Sequence, residues 1–245
     1  MTNRWEAPTT EREARHELAA AYRIAADFGW TDLAGTHFSC SVPNEDAYLV
    51  LPWGQFFEEV TASNLVKVGF DGASRTPGVE LNAAGTTIHA GLYRTIPGIN
   101  AILHTHTSAG VAASNHPNGL LPLSQHALRF YEAQGVHEYE GVALDDGEGP
   151  RLAADIGACE LLLLRNHGLL TVGADLPSAV SALYYAEMSA QIQLATLSSV
   201  SEPVMPDHET CVFTQKQYAA STGYIYRDWL GLLRRVARNH PGYDR

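Results

Sequence analysis

The feature that most constrains this chain is an apolar run, Ile99–Thr107, that ends in two histidines separated by one residue. Its β-branched start and its apolar centre predict a buried strand. Residues two apart on a strand point to the same face, so His104 and His106 are expected to project together. Two imidazoles held on one side of a rigid strand can occupy adjacent corners of a metal's coordination sphere.

A third metal ligand is predicted from a second apolar run, Leu161–Gly168, in which four leucines lead to His167. Three histidines that leave one coordination position open are typical of a catalytic metal site rather than a structural one. The spacing alone leaves an alternative open, because two histidines at a sheet edge can also hydrogen-bond without any metal.

The length and the charge of the chain limit its organisation and its partners. At 245 residues it suits one sizeable domain, and no stretch of it has the composition of a linker. We therefore expect a single domain over residues 1–245, with a core at about 13–199 and a C-terminal helical extension at about 214–238. The formal net charge of -11 argues against nucleic acid or an anionic membrane as a partner, since both require a positive surface.

Cysteine usage and hydropathy predict the compartment. Cys40, Cys159 and Cys211 are widely spaced and odd in number, which suits a reducing environment better than a disulfide framework. The amino terminus is polar and charged, and no apolar run reaches the length of about 18 residues that a membrane span requires. The sequence therefore predicts a soluble, cytoplasmic protein.

Local patterns predict most of the helices and strands. Thr10 and Glu13 form a capping-box pattern before a helix that ends at Gly29. A helix capped by Asn82 leads through a Pro-Gly break into the histidine strand. The passage from 116 to about 149 is predicted to be irregular. The other expected elements are strands at 37–42, 47–51, 65–70, 161–166 and 169–172, and helices at 107–114, 151–156, 177–197 and 218–238.

Several separate segments resemble the class II aldolase/adducin family, and they follow the family's order over roughly 13–199. The matching segments are Val60–Val68, Asn82–Gly85, His89–Tyr93, Leu103–Thr107 and Arg165–Leu170. The resemblance implies an α/β protein of the class II aldolase type, with three α/β/α layers around a central mixed, mainly antiparallel sheet. It also implies a homotetramer whose active sites lie at subunit interfaces.

The resemblance implies a divalent metal as well. In that family the metal is held by the histidines that match His104, His106 and His167, the same three residues that the spacing predicts. Zinc is the expected metal, with manganese, cobalt or iron as alternatives.

One segment departs from the pattern of the sugar-phosphate aldolases. Those enzymes carry Ser-Ser-Glu at the start of this helix, where the serines help to hold phosphate and the glutamate moves protons. This chain has Ala83, Ala84 and Gly85 instead. The departure points away from a phosphorylated substrate. Because adducin also has an Asn-x-Ala-Gly segment here, a non-catalytic protein remains an alternative.

The resemblance also identifies further candidate site residues. His37 aligns with an asparagine that contacts substrate in many aldolases, and His126 aligns with a loop that reaches the neighbouring subunit's site. A structural role remains open for each of them, and packing roles are favoured for His89 and Tyr93. The full prediction has His37, His126 and Tyr131 as catalytic residues, and Ser39, Asn82, Gln125 and Arg129 as substrate-binding residues.

These residues predict a divalent-metal-dependent lyase that cleaves a carbon–carbon bond of an unphosphorylated hydroxy-carbonyl compound or an aromatic carboxylate. Both retro-aldol cleavage and decarboxylation leave an electron pair that a metal-bound oxygen can accept. Decarboxylation needs only a proton donor afterwards, so it tolerates the missing glutamate better. Two alternatives remain: a non-haem iron oxygenase, and a non-catalytic, adducin-like binding module.

Overall fold

The protein is described by a computed structural model that covers residues 4–145 and 147–245. Within these ranges one sheet contains the strands β1 (His37–Ser41), β2 (Ala47–Val50), β3 (Val66–Gly69), β4 (Ala101–Thr105), β5 (Gly135–His137), β6 (Leu161–Leu164) and β7 (Gly168–Gly173). Their order is β3-β2-β1-β4-β7-β6-β5, and only β5 and β6 run parallel. The predicted mixed, mainly antiparallel sheet is confirmed.

Helices cover both faces of this sheet. They are α1 (Glu11–Phe28), α2 (Ala83–Thr95), α3 (Ser108–Ser114), α4 (Glu148–Ile156), α5 (Leu176–Ser199), α6 (His208–Ala220) and α7 (Gly223–Asn239). The four leucines of β6 show the layering, because Leu161 and Leu163 belong to the core shared with α1 and α5. Leu162 and Leu164 alternate to the other face and pack in the core under α2 and α4.

The local signals at helix ends work as the sequence predicts. The side chain of Thr10 accepts a hydrogen bond from the Glu13 backbone, and Glu13 bonds back to Thr10 to complete the capping box. Gly29 ends α1 in the left-handed conformation at φ 72°. Asn82 caps α2 by accepting a hydrogen bond from the Gly85 backbone.

Two expectations about elements are wrong. The helix predicted at 218–238 is the pair α6 and α7, which break at Ser221 and Thr222, residues that are weak helix formers. The passage predicted to be irregular contains β5 and the first residues of α4. A strand of three residues is too short to show a periodicity, and β5 is recognisable only through its pairing with β6.

None of the helices in the described ranges is long and apolar enough to cross a membrane.

Two glycines let α2 and α4 approach closely. A Cβ atom on Gly91 would lie 2.6 Å from the Cα of Gly149, so neither position has room for a side chain. This contact fixes α4 beside α2 on the face of the sheet that carries the site described below.

Replacing Gly91 by alanine should lower the free energy of unfolding by about 1 to 3 kcal/mol, because the added methyl group overpacks this contact. The matched control is Gly231→Ala in the middle of α7, where the nearest atom to the new methyl group would be 3.7 Å away. That change should be neutral or stabilising by up to about 1 kcal/mol. Urea denaturation of both variants tests the prediction, which is wrong if the two changes have the same effect.

Candidate metal centre

Three histidines converge at one end of the sheet. His104 lies on β4, His106 follows one residue after the strand ends, and His167 lies in the turn between β6 and β7. The Nε2 atom of His104 is 2.7 Å from Nε2 of His106 and 3.1 Å from Nε2 of His167. The three ligand nitrogens all lie within 4.8 Å of one another, so one cation can reach all of them.

Hydrogen bonds on the far side of two rings fix which nitrogen faces the centre. His104 Nδ1 is 2.9 Å from the carbonyl oxygen of Leu169, which can only accept, so Nδ1 carries the hydrogen. His106 Nδ1 donates in the same way to the carboxylate of Asp32, also over 2.9 Å. Both Nε2 atoms are therefore bare lone pairs that point towards the centre.

Electrostatics favours the neutral form of His104 and His167. Burial, followed by the neighbouring His167, holds the pKa of His104 well below its usual range. Burial and His106 lower the pKa of His167 to about 4. Two bare lone pairs only 2.7 Å apart repel each other unless a cation lies between them. The donor set therefore fits a divalent metal, and the half-buried rings of His106 and His167 leave one face accessible.

A buried carboxylate holds the segment around His106. Glu187 on α5 is fully buried and accepts hydrogen bonds of 2.6 Å from the hydroxyl groups of both Thr105 and Thr107. These threonines flank His106 on either side. The contact thereby fixes the end of β4 and the start of α3, which Thr107 caps.

His37 lies beside the triad on the same face of the sheet. It pairs with His104 across β1 and β4, and the centroids of the two rings are 5.1 Å apart. Burial, followed by the nearby His106 and His167, lowers the pKa of His37 to about 3. His37 is thus a neutral imidazole next to the candidate metal, where it could give or accept a hydrogen bond.

Gly85 and His37 occupy complementary positions. A Cβ atom on Gly85 would lie 2.9 Å from Cδ2 and 3.0 Å from Nε2 of His37. The imidazole therefore fills the space into which any side chain at position 85 would project. A side chain at position 85 and the present position of the His37 ring are therefore coupled by packing.

A small cavity lies where these residues meet the first turn of α2. It has a volume of about 20 Å³, which is enough for roughly one water molecule, and its lining includes His37, Asn82 and Gly85. Leu51, Pro52, Trp53 and Leu81 supply an apolar wall.

The predicted substrate-binding role of Ser39 does not match its position. Ser39 is fully buried, and its hydroxyl group is bonded to His89 and Tyr93 rather than open to a ligand. Asn82 is half-buried and lines the small cavity, although its side-chain oxygen already caps α2.

The four predicted residues of the 125–131 segment lie together in a different place, against the C-terminal helices. Gln125 contacts Tyr218, the His126 ring lies 5.4 Å from that of Tyr185, and Tyr131 bonds to His208 over 3.0 Å. Within the described ranges of one chain, none of these contacts reaches the triad.

Arg129 is poorly placed to bind a substrate carboxylate. Its guanidinium group is buried and forms a two-pronged ion pair with Glu160, with 2.8 Å between Nη2 and Oε2. A third hydrogen bond runs to Ser181. Three of its five N–H donors are thus used within the chain, which favours a structural role, and its substrate-binding role stays a prediction.

Sequence reasoning missed Asp32 and Glu187, which orient the metal-facing segment. Both lie more than 70 residues from their partners, as the separations of 74 and 82 residues show, so no local pattern identifies them. His89 and Tyr93 pack as predicted and also form hydrogen bonds. Their signal was present as two polar residues four apart on the buried face of α2.

The fit between Gly85 and His37 predicts a coupling between two substitutions. Gly85→Ala should cost about 1 to 3 kcal/mol in the wild-type background, because the methyl group pushes against the imidazole. In a His37→Ser background the same change should cost little, since the smaller side chain leaves room. A double-mutant cycle measured by urea denaturation gives the coupling energy, and equal costs in both backgrounds would contradict the contact.

Asp32 should strengthen metal binding by orienting His106. Asp32→Ala should weaken zinc affinity by roughly 10- to 100-fold, as the loss of a carboxylate behind a metal-binding histidine commonly does. Competition with a chromophoric chelator measures the affinity. Asp46→Ala, which removes an exposed carboxylate in the turn before β2, should leave zinc affinity unchanged. Equal zinc affinities in the two variants would rule out this role for Asp32.

Comparisons with known proteins identify the family. The Class II Aldolase and Adducin N-terminal domain matches residues 16–194. A candidate aldolase class 2 protein of Caulobacter vibrioides is 38% identical over 248 residues, which cover 99% of this chain and 96% of that protein. The alpha-adducin of Rattus norvegicus is 37% identical over 198 residues, which cover 79% of this chain but 27% of adducin.

A solved structure agrees with the sequence matches. An aldolase II superfamily protein from Pseudomonas syringae has a TM-score of 0.92 and 40% identity to this chain, and the match covers 98% of both. With its central mixed sheet and its converging histidines, this chain is a member of the class II aldolase and adducin family.

Proposed function

We propose that this protein is a divalent-metal-dependent lyase that cleaves a carbon–carbon bond of an unphosphorylated hydroxy-carbonyl compound or an aromatic carboxylate, by retro-aldol cleavage or decarboxylation. The observation that carries the proposal is the convergence of three histidine Nε2 atoms with one accessible face. The hydrogen bonds that turn Nε2 of His104 and Nε2 of His106 towards the centre support a metal-binding role over a binding module without a metal.

His104, His106 and His167 would hold the metal. Zinc suits three neutral imidazoles best, with manganese, cobalt or iron as alternatives. The bound metal would supply a Lewis acid that polarises the oxygen beside the bond to be cleaved.

The residues around the triad favour a substrate without a phosphate group. In the described part of the chain, the small cavity at the start of α2 is lined by no lysine or arginine. Ala83 and Ala84 at the start of α2 offer no hydroxyl groups. A planar carbonyl or carboxylate group approaching the accessible face would meet His37 rather than an anion site.

His37 is the proposed proton donor to the carbon that is left after bond cleavage. It lies beside His104 and is fixed in position by a hydrogen bond to His89. Because the ring is neutral, it would give the hydrogen of Nε2 while Nδ1 takes one from His89 through that bond. Asn82 is the proposed substrate-binding residue nearest to it, since both line the same cavity.

His126, Gln125 and Tyr131 would act in a neighbouring subunit's site in a homotetramer. The half-buried imidazole of His126 and the exposed amide of Gln125 leave these groups available to a second chain. A group of exposed apolar side chains on nearby segments supports an assembly that covers them: Leu194, Leu197, Val200, Val204, Met205 and Phe213. The three cysteines are free, which supports the proposed cytoplasmic location.

One observation favours a second candidate, an adducin-like binding module without catalysis. The similarity to alpha-adducin extends over most of this chain, and Gly85 carries no acid or base. Metal analysis of the freshly purified protein separates the candidates. Zinc, manganese or cobalt supports the lyase, iron points to an oxygenase, and a protein that binds no metal points to the binding module.

Turnover tests the lyase directly. Candidate hydroxy-carbonyl compounds and aromatic carboxylates are incubated with the protein, and NMR detects the cleaved products. His104→Ala should lose the metal and at least about 100-fold in turnover, since a Lewis acid supplies several kcal/mol of stabilisation. His16→Ala, which removes a histidine far from the triad in sequence and on α1, should keep both. Full turnover in metal-free protein would refute the proposal.

A further inference from the structure

A chain of four hydrogen-bonded side chains runs through the core from the candidate metal centre. His37 and Ser39 are two apart on β1, and His89 and Tyr93 are four apart on α2, so each pair shares a face of its element. We infer that Tyr93, Ser39 and His89 are positioning residues that hold His37 in the tautomer with its hydrogen on Nε2, as a hydrogen-bond donor to the site.

The contacts form an unbroken sequence. His37 Nδ1 lies 2.7 Å from His89 Nε2, His89 Nδ1 bonds to the Ser39 hydroxyl group, and the Ser39 and Tyr93 hydroxyl groups are 2.9 Å apart. All four residues are at least 94% buried, because the exposed fractions are 4% for His37, 0% for Ser39, 1% for His89 and 6% for Tyr93. Burying this many polar groups is costly unless every one of them is satisfied, so each hydrogen bond is needed.

Each of these four side chains has one hydrogen that it can donate. Burial holds the pKa of His89 well below its usual range and raises the pKa of Tyr93 well above it, so the imidazole is neutral and the phenol keeps its proton. A neutral imidazole donates through one nitrogen and accepts through the other. The hydrogens in the chain must therefore all point the same way, either towards His37 or away from it.

Tyr93 favours the first of these directions. A phenol is more acidic than an aliphatic alcohol, so the Tyr93 hydroxyl group donates and the Ser39 oxygen accepts. Ser39 then donates its own hydrogen to His89 Nδ1. His89 Nε2 consequently carries a hydrogen and donates it to His37 Nδ1, which leaves the hydrogen of His37 on Nε2.

This direction places the hydrogen of His37 where a ligand can meet it. His37 Nε2 lies beside Gly85, and both residues line the small cavity at the start of α2. The catalytic meaning of this donor rests on the proposed lyase function. The order of the hydrogens does not, because it follows from the side chains alone.

Long-range proton–nitrogen NMR spectra of zinc-loaded protein with nitrogen-15 in its histidines read the tautomers directly. His37→Asn and His89→Gln assign the two rings. We expect both rings to carry their hydrogen on Nε2. A hydrogen on Nδ1 of His37, or a tautomer mixture like that of a solvent-exposed histidine, would overturn the inference.

Two substitutions of His89 separate positioning from packing. His89→Gln places an amide donor near the former Nε2 and should keep the hydrogen of His37 on Nε2, whereas His89→Leu should give a mixture. The same tautomer in both variants would show that His89 only fills space. Tyr48 is a buried tyrosine that stacks on Tyr93 but is not one of the four hydrogen-bonded side chains. Tyr48→Phe should therefore leave both tautomers unchanged. These spectra do not depend on turnover. The tautomer inference can therefore fail while the lyase proposal stands, and the lyase proposal can fail while the tautomer inference stands.

Discussion

The antiparallel pairing of β4 with β7 is the interaction on which the site depends. It places His104 opposite Leu170 and lets the Leu169 carbonyl group accept the hydrogen of His104 Nδ1. β7 also pairs with β6, and the turn between these two strands places His167 at the end of β4. A shift of this pairing by one residue would turn His104 to the opposite face of the sheet. The register therefore determines both where the lone pairs point and whether they meet.

Gly85 and His37 are matched in space, and both line the small cavity at the start of α2. His37 fills the space above Gly85, so any side chain at position 85 would require the imidazole to move. His37 is held there by β1, whereas a side chain at position 85 would be held by α2.

Several polar side chains are buried beside the site, and taking them out of water costs folding free energy in a protein whose net stability is small. Glu187 is buried between two threonine hydroxyl groups, and His89 is buried between His37 and Ser39. Apolar residues of similar size would avoid this cost. That these groups are nevertheless fully hydrogen-bonded is the physical reason to regard them as parts of the site rather than of the core.

The sequence by itself determined the His-x-His strand, the third histidine, the capped helices and the mixed sheet, because each depends on a short-range pattern or on a set of family segments. Tertiary structure alone decided the rest. Asp32 and Glu187 bond to partners that are 74 and 82 residues away in the sequence. Arg129 forms an ion pair with Glu160. Such partners follow from how helices pack on the sheet, and a one-dimensional pattern carries no information about which distant polar groups that packing brings together.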